Sequence, residues 1–254
     1  MSLRLENASF SVGEATLLRG VDIEVRPGRF TVVMGPNGAG KSTALAILAG
    51  DLPPSKGAVF LDGEQLHLVS AERQAERRAV VTQNQPADFP LTALEVAMLG
   101  RAPCRAGRAR DLEAVTAALE ATGAAHLASR HFPTLSGGER QRVQIARALA
   151  QIWDRRARAQ SYLLMDEPTA SLDLKHQIAT LDIARAFADA GAGVMCILHD
   201  VVLAREFADE VVLLRRGEVF ASGPPASTLT CATLAAVFDL PLERAAAYAV
   251  SPPS

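Results

Sequence analysis

The order of apolar and polar positions divides the chain into strand-like and helix-like segments. Residues 3–10 and 21–25 alternate apolar and polar side chains, which is typical of half-exposed strands. The β-branched and aromatic run FTVVMG at 30–35 predicts a fully buried strand. Further strands are predicted at 57–63, 77–83, 161–167 and 192–200, and two more on either side of Arg216-Gly217.

Helical spacing replaces the strand patterns from about Asn84 to Gln151. Thr92 and Glu95 have the spacing of a capping box at a helix start, and Gly100 is predicted to end that helix. DLEAVTAALEATG and SGGERQRVQIARALAQIW predict two further helices of this region. Strands that alternate with helices predict a mostly parallel sheet, here with a helical subdomain inserted in it.

The last helix is predicted near 230–238.

The composition is that of an ordinary globular chain. The 254 residues suit one large domain, or a core with a subdomain, with 49% hydrophobic and 21% charged residues. The net charge of -2 gives no sign of a nucleic-acid surface, which would be basic. Arginine clusters at 77–78, 101–110 and 155–158 are interpreted mainly as solvated faces.

The cysteines and the apolar runs indicate in which cellular compartment the protein is expected. Cys104, Cys196 and Cys231 are odd in number and far apart, so they form no metal spacing and no disulfide framework, which favours a reducing compartment. The first ten residues carry charge and resemble no signal peptide. The longest uncharged apolar run, around AGAGVMCIL, is far shorter than the roughly 20 residues that span a bilayer, so a membrane is expected to be reached only through a partner.

GPNGAGKST at 35–43 fits the phosphate-loop pattern GxxxxGK[ST]. Its glycines let backbone N–H groups approach an anion at the start of a helix that ends at Gly50. Lys41 is expected to reach the terminal phosphates and Ser42 to bind Mg²⁺. The alternative is a glycine-rich turn, but the buried strand before the loop and the helix after it favour a phosphate site. The candidate nucleotide-binding residues are Gly35, Pro36, Asn37, Gly38, Ala39, Gly40, Lys41, Ser42 and Thr43.

Asp166 and Glu167 follow a buried apolar strand, where two carboxylates are unfavourable unless something uses them. Asp166 is expected to bind Mg²⁺, directly or through water. Glu167 is expected to point the other way along the pleat and to activate a water molecule. A solvated strand end is the alternative for either residue alone.

Gln83 and His199 each close an apolar strand pattern. Taken singly, they would be an ordinary surface glutamine and a structural histidine. Their position at the C-terminal ends of strands, where ligands gather in open α/β sheets, makes both candidates for the site. Gln83 is a candidate to coordinate Mg²⁺ or to orient a water molecule.

Ser136 and Glu139 have capping-box spacing, which explains a helix start but not Gly137-Gly138. Glycine lowers helix stability by up to ~1 kcal/mol relative to alanine. Two glycines remove side chains where a helix N-terminus would meet an anion. Because the chain already has a phosphate loop much earlier in the sequence, this second site is expected to close over nucleotide held by another copy.

GPNGAGKST, TQ at 82–83, LSGGERQR, YLLMDEPTASLD and ILHD, in this order, resemble the motifs of the ATP-binding cassette (ABC) ATPases over nearly the whole chain. The resemblance implies an α/β fold: a P-loop NTPase (RecA-like) core with a mostly parallel sheet, an N-terminal antiparallel β subdomain and an inserted α-helical subdomain. It implies a single domain over 1–254, with the core at about 1–83 and 152–254 and the helical subdomain at about 84–151.

In that family two cassettes sandwich two ATP molecules head to tail. The resemblance therefore assigns Ser136, Gly137 and Gly138 to nucleotide held by the partner. It assigns Asp173 to the loop that signals across the dimer, and His199 to contact with the γ-phosphate. Val12 stands where family members often stack adenine on an aromatic residue.

A single cassette without a fused membrane segment resembles the separate ATPase subunit of a bacterial importer. FPLTALEVAMLGRAP resembles cassettes for iron-chelate, haem and cobalamin uptake, and QIWDRRARAQSYLLMDEP with DLKHQ resembles haemin importers. The implied function is hydrolysis of ATP to ADP and phosphate, with Mg²⁺, to drive haemin uptake. A ferric siderophore or cobalamin is the alternative cargo, and a non-transport ABC ATPase the further alternative.

The implied partners are a second copy in a homodimer, two transmembrane permease subunits and, indirectly, a periplasmic substrate-binding protein, but not nucleic acid. The implied location is peripheral, on the cytoplasmic face of the inner membrane. A chromosome or DNA-repair member would carry a long coiled coil between Gln83 and Ser136, where no sustained heptads occur. A non-enzymatic protein would tolerate loss of Lys41, Glu167 or His199, and all are present.

Overall fold

Two β-sheets and ten α-helices form the part of the chain that the computed structural model describes, residues 1–82, 90–104, 106–154, 161–170 and 172–249. The strands are β1 (Leu3–Val12), β2 (Ala15–Val25), β3 (Phe30–Met34), β4 (Lys56–Leu61), β5 (Glu64–Gln65), β6 (Arg78–Val81), β7 (Tyr162–Asp166), β8 (Gly193–Ile197), β9 (Glu210–Arg215) and β10 (Glu218–Gly223). The helices are α1 (Lys41–Leu48), α2 (Ala71–Arg77), α3 (Ala93–Met98), α4 (Arg108–Ala121), α5 (Gly137–Ile152), α6 (Leu174–Asp189), α7 (Val201–Phe207), α8 (Pro225–Thr228), α9 (Cys231–Phe238) and α10 (Leu242–Ala246).

The larger sheet has six strands in the order β10-β9-β3-β8-β7-β6. Its neighbours are parallel except for β10, which pairs antiparallel with β9. Every residue of β3 and of β8 is buried, which confirms the strands predicted from the continuous apolar runs. Because β3, β8 and β7 are parallel neighbours, their C-terminal ends share one edge of the sheet.

The smaller sheet is antiparallel, with the order β2-β1-β4-β5. Leu3, Leu5 and Leu18 belong to the same buried apolar cluster as Ile47 and Leu48 of α1. The alternation of β1 therefore places one face of this sheet against α1, the helix that begins in the phosphate loop.

Three helices, α3, α4 and α5, lie in sequence between the parallel neighbours β6 and β7, and α5 packs against both others. Capping boxes at Thr92 with Glu95 and at Ser136 with Glu139 confirm the predicted starts of α3 and α5. The prediction that Gly100 ends its helix was wrong. A 3₁₀ turn continues through Leu99–Arg101, and a Cβ on Gly100 would collide with the backbone carbonyl of Arg147 in α5.

The interpretation of the arginine clusters as solvated faces holds for Arg108 and Arg110, which are exposed, but was wrong for Arg101. Arg101 is 3% exposed and forms ion pairs with Asp111 (2.9 Å) and Asp154 (2.7 Å). Its guanidinium also donates to the carbonyl of Ala150 at 2.7 Å. Burial lowers the pKa of Arg78 to about 10. Arg105 and residues 155–158 lie outside the described residues.

The C-terminal part of the described chain has one helix beyond the helix that the pattern predicts to be the last. The helix predicted near 230–238 is α9, and α10 follows it after Pro241. All three cysteines are unpaired, which agrees with the prediction from their number and spacing. Among the helices of the described residues, none combines the length and the apolar character needed to cross a bilayer.

Candidate functional site

The phosphate-loop residues, 35–43, connect the central strand β3 to α1. Gly35, Gly38 and Gly40 all have positive φ, at 149°, 77° and 99°. A Cβ on Gly35 would collide with the carbonyl of Leu214, and one on Gly40 would lie 2.6 Å from Cδ2 of Leu18. The chain therefore needs glycine at both places to bend the loop this tightly.

Lys41 ties the loop to the first turn of α1. Its Nζ donates hydrogen bonds to the carbonyls of Gly35 (2.9 Å) and Pro36 (3.0 Å), and the residue is only 6% exposed. Burial lowers the pKa of Lys41, while the charges of Glu167 and Asp166 oppose that shift. The ammonium group is thus held beside the loop, close to two carboxylates.

Ser42 and Asp166, the two described residues predicted to bind a metal, lie side by side. The Ser42 hydroxyl donates to Oδ1 of Asp166 at 3.3 Å. Burial raises the pKa of Asp166, the charge of Glu167 raises it further, and the Ser42 hydrogen bond opposes both. A hydroxyl and a carboxylate are oxygen ligands, which Mg²⁺ prefers, and Mg²⁺ usually takes only one or two carboxylates besides phosphate and water. These two residues therefore fit that ion.

Glu167 does not follow the pleat, and the expectation that it points the other way for that reason was wrong. The strand β7 ends at Asp166, and Glu167 has a φ of 48°, in the left-handed region. Its Oε1 lies 2.6 Å from Nε2 of His199, which follows β8. Glu167 also lines a cavity of about 320 Å³ together with Leu17, Asn37, Gly38, Gly40, Lys41, Ser42 and Thr43.

Leu17 is the lining residue that the sequence pattern did not single out. It lies on β2 and is partly exposed, and neither its spacing nor its type marks it, because only the packing of β2 against the loop brings it to the cavity. Val12, where family members often stack adenine on an aromatic residue, is 59% exposed at the end of β1.

The start of α5 is built from its own capping residues and makes no polar contact with the phosphate loop among the described residues. Ser136 accepts from the N–H of Glu139 (3.3 Å), and the Glu139 carboxylate accepts from the N–H of Ser136 (2.8 Å), which lowers the pKa of Glu139. A Cβ on Gly137 would meet nothing within 4 Å, and one on Gly138 only Leu172, at 3.4 Å. Within the described ranges, no hydrogen bond or ion pair joins residues 136–138 to residues 35–43.

Asp173 is the N-cap of α6. It accepts from the N–H of His176 at 2.9 Å and contacts Nδ1 of the same ring at 2.7 Å, and the backbone hydrogen bond lowers the pKa of Asp173. Gln141 of α5 donates to the carbonyl of Pro168 at 3.3 Å, so α5 and the segment after Glu167 are neighbours. Gln83, predicted to bind a metal or orient a water molecule, lies outside the described residues.

The known proteins to which this chain is similar are ATP-binding proteins of ABC transporters. Residues 18–170 match the family model described as ABC transporter. The hemin import ATP-binding protein HmuV of Hahella chejuensis is 46% identical over 227 residues, 89% of this chain and 88% of its own. That of Pseudomonas entomophila is 47% identical over 238 residues, 94% and 92% of the two chains.

A solved structure, the dimeric post-hydrolysis state of the ATP-binding cassette MJ0796 bound to ADP and Pi, superposes with a TM-score of 0.73 at 28% identity. It covers 87% of this chain and 98% of its own. The predicted α/β fold with a phosphate-loop core and a mostly parallel sheet is confirmed.

Proposed function

Since the chain belongs to the ABC transporter family, we propose that it is the ATP-hydrolysing subunit of a bacterial haemin importer. The observation that carries the ATPase activity is the meeting of Lys41, Ser42, Asp166 and Glu167 around one glycine-rich loop, with His199 against Glu167. The cargo is supported by the two HmuV relatives at 46% and 47% identity.

The phosphates of ATP would lie on the loop at 35–43. Backbone N–H groups that converge at a helix start favour an anion there, and the partial positive charge of the α1 N-terminus adds to this. Lys41 supplies a full positive charge for the β- and γ-phosphates. Ser42 and Asp166 would hold Mg²⁺, which neutralises charge on the phosphate oxygens when bound.

Hydrolysis needs a base for water and stabilisation of the charge on the γ-phosphate. Glu167 would take a proton from the attacking water as its oxygen bonds to the γ-phosphorus and the bond to the bridging oxygen of ADP breaks. His199 lies 2.6 Å from the carboxylate of Glu167 and would hold it in position, and it would also contact the γ-phosphate. Lys41 stabilises the developing charge.

A second copy would complete the site with the start of its own α5. A side chain at 137 would fit in the single chain, and alanine would favour the helix there by up to ~1 kcal/mol, so nothing within the described chain requires glycine. Glycine would be required there if Ser136, Gly137 and Gly138 faced an anion held by a second molecule, because a side chain would occupy the space of that anion. The dimeric MJ0796 cassette supports such an arrangement, in which Asp173 would lie near the seam.

Two transmembrane permease subunits would carry the cargo, fed by a periplasmic binding protein, with this subunit on the cytoplasmic face of the membrane. The core at about 1–83 and 152–254 would hold the nucleotide. The helical subdomain at about 84–151, with Gln83 at its boundary, would transmit closure to the permease. The cassette itself would make no contact with the cargo while the cargo crosses the membrane.

Replacement of Glu167 by glutamine tests the assignment of the base. Glu167→Gln keeps the volume and hydrogen-bonding capacity of the side chain but not its basicity, so ATP hydrolysis should fall by about 10²- to 10⁴-fold. ATP should then accumulate in a stable dimer, measured by light scattering with bound nucleotide quantified. Glu218→Gln, on the exposed face of β10, is the matched control. Hydrolysis by Glu167→Gln at the native rate would show that the base is another group.

A further inference from the structure

A second cavity, of about 540 Å³, has His199 in its wall. It lies where α9 and α10 approach the segment that follows β8. Its volume is within the range of about 300–1,000 Å³ that is usual for small-molecule sites. The residues that give it chemical character are His199, Leu234, Phe238, Leu240, Arg244 and Tyr248.

The lining combines an apolar surface with a few polar groups. Leu234 is buried, whereas Leu240 and Tyr248 are 39% and 54% exposed. An apolar ligand that covered the exposed pair would remove their surface from water, which is favourable. Arg244 and Tyr248 are the lining residues, besides His199, that carry polar groups able to orient such a ligand.

These groups together match one class of ligand. A guanidinium recognises a carboxylate through charge-assisted, often bidentate, hydrogen bonds. A phenol oxygen is an axial ligand of haem iron in proteins, as is an imidazole. A large apolar body, a metal that accepts oxygen or nitrogen, and a carboxylate are combined in a metalloporphyrin.

We propose that this cavity binds ferric haem, the product that the proposed import would deliver, and that bound haem slows ATP hydrolysis. The inference rests on the proposed function for the identity of that product. Tyr248 would coordinate the iron: its O–H proton leaves to water as the oxygen–iron bond forms, and the iron stays ferric. Arg244 would pair with a propionate.

The route from this cavity to the ATP site is short. His199 lines the haem cavity, and its Nε2 lies 2.6 Å from Oε1 of Glu167, which lines the phosphate-loop cavity. A ligand packed on the histidine would restrict the ring that positions the catalytic carboxylate. Couplings between two binding sites commonly change affinity by about 5- to 150-fold. We expect an effect on turnover of at least the lower size, so saturating haem should slow hydrolysis about fivefold or more.

The experiment is a titration of the whole chain with haemin, read by the Soret band and by the charge-transfer absorption of a ferric phenolate, with ATP hydrolysis measured in parallel. Even groups outside the first coordination sphere contribute about 10- to 100-fold to metal affinity, so Tyr248→Phe should weaken haemin at least about tenfold and abolish the phenolate band. Arg244→Leu should weaken both haemin and metal-free protoporphyrin, whereas Tyr248→Phe should leave the metal-free probe unchanged. Both variants should hydrolyse ATP at the native rate without haemin and resist its inhibition.

Phe220→Ala, which removes an exposed ring on β10, is the control for adsorption to apolar surface. The proposal would be overturned if the native chain, Tyr248→Phe and Arg244→Leu gave equal spectra and equal inhibition. Binding would then be adventitious adsorption of haemin.

Haemin uptake by vesicles that contain the permease tests the cargo separately. Uptake without a Tyr248-dependent spectrum overturns this inference alone. A Tyr248-dependent spectrum without uptake overturns the proposed cargo and leaves the haem site standing.

Discussion

Two neighbouring carboxylates face different partners because a strand stops between them. Asp166 ends β7 and accepts from Ser42, whereas Glu167 turns into the left-handed region and meets His199. The change in backbone conformation separates one carboxylate, suited to a metal, from another suited to move a proton. The two roles are thus separated by the positive φ of Glu167.

Loss of the His199 ring should therefore affect turnover more than binding of ATP. In His199→Ala, Glu167 loses its 2.6 Å partner, while the loop and Lys41 keep their contacts. We expect kcat to fall by about 10²-fold or more with little change in KM, by the magnitude usual for groups in proton transfer. Steady-state ATP hydrolysis measures both constants, and exposed His126→Ala is the control. A higher KM at unchanged kcat would mean that His199 serves only to bind substrate.

Local sequence was enough to predict that Ser42 and Asp166 lie close together, because each belongs to a short motif whose backbone fixes its position. It was not enough for Glu167, whose direction depends on where β7 ends, or for Leu17, whose role depends on sheet packing. The Glu167–His199 contact joins residues from different strands, and no local pattern encodes it.

Between elements, one glycine sets how closely the helices between β6 and β7 approach each other. Gly100 follows α3, and the space its missing side chain leaves is filled by the carbonyl of Arg147 in α5. Next to it, Arg101 joins Asp111 of α4 to Asp154 beyond α5. The contact between α5 and the turn after α3 is thus fixed both by close backbone packing and by a buried ion-pair network.

A methyl group at position 100 should destabilise the fold. Gly100→Ala forces α5 away from the 3₁₀ turn, and overpacking of this kind lowers the free energy of unfolding by about 1–3 kcal/mol. Urea unfolding followed by circular dichroism measures it. Gly137→Ala, with open space around it, should change stability by less than ~1 kcal/mol. Equal losses in the two variants would contradict the packing described here.

Capping chemistry made the starts of α3 and α5 predictable, since each box lies within four residues of sequence. The five-residue α10 was missed because it is too short to show periodicity. The burial of Arg101 was missed because its acidic partners come from other elements, so the sequence around it resembles any basic surface cluster.

For the molecule as a whole, Asp209 connects distant parts of the core. It accepts from the N–H of Phe30 at the start of β3 and from Arg185 of α6, each at 2.8 Å, and lies directly before β9. Burial by itself would raise the pKa of Asp209, but the hydrogen bonds from Arg185 and Phe30 outweigh it and lower the pKa below its usual 3.8.

Stability should follow the protonation of this residue. A carboxyl whose pKa is lower in the folded chain stabilises it above the unfolded pKa, and that contribution is lost as pH falls through the folded value. Asp209→Asn should therefore reduce the slope of unfolding free energy against pH below about pH 4, measured by urea unfolding across pH. Exposed Glu14→Gln should keep the native slope. A native slope in Asp209→Asn would assign the acid sensitivity to other groups.

A site shared between two copies predicts complementation. Lys41→Ala damages the loop half of the site and Gly137→Asp the helix half, where an added Cβ meets no neighbouring atom but a carboxylate would repel phosphate. In mixed dimers one site joins two intact halves, so the mixture should regain ATP hydrolysis that neither variant shows alone. A mixture of Lys41→Ala with Glu167→Gln, both in the same half, should stay inactive. No recovery in the first mixture would argue against a shared site.

The open space beside Gly137 has an evolutionary consequence. A methyl group acquired there would meet no neighbouring atom, so the single chain would fold with nearly its native stability and escape cellular quality control. The defect would show only when two copies closed over ATP, and in a cell that makes both forms each mixed dimer would keep one intact site. Such an allele would be partly masked by a native copy, and only assays that require the dimer would reveal it.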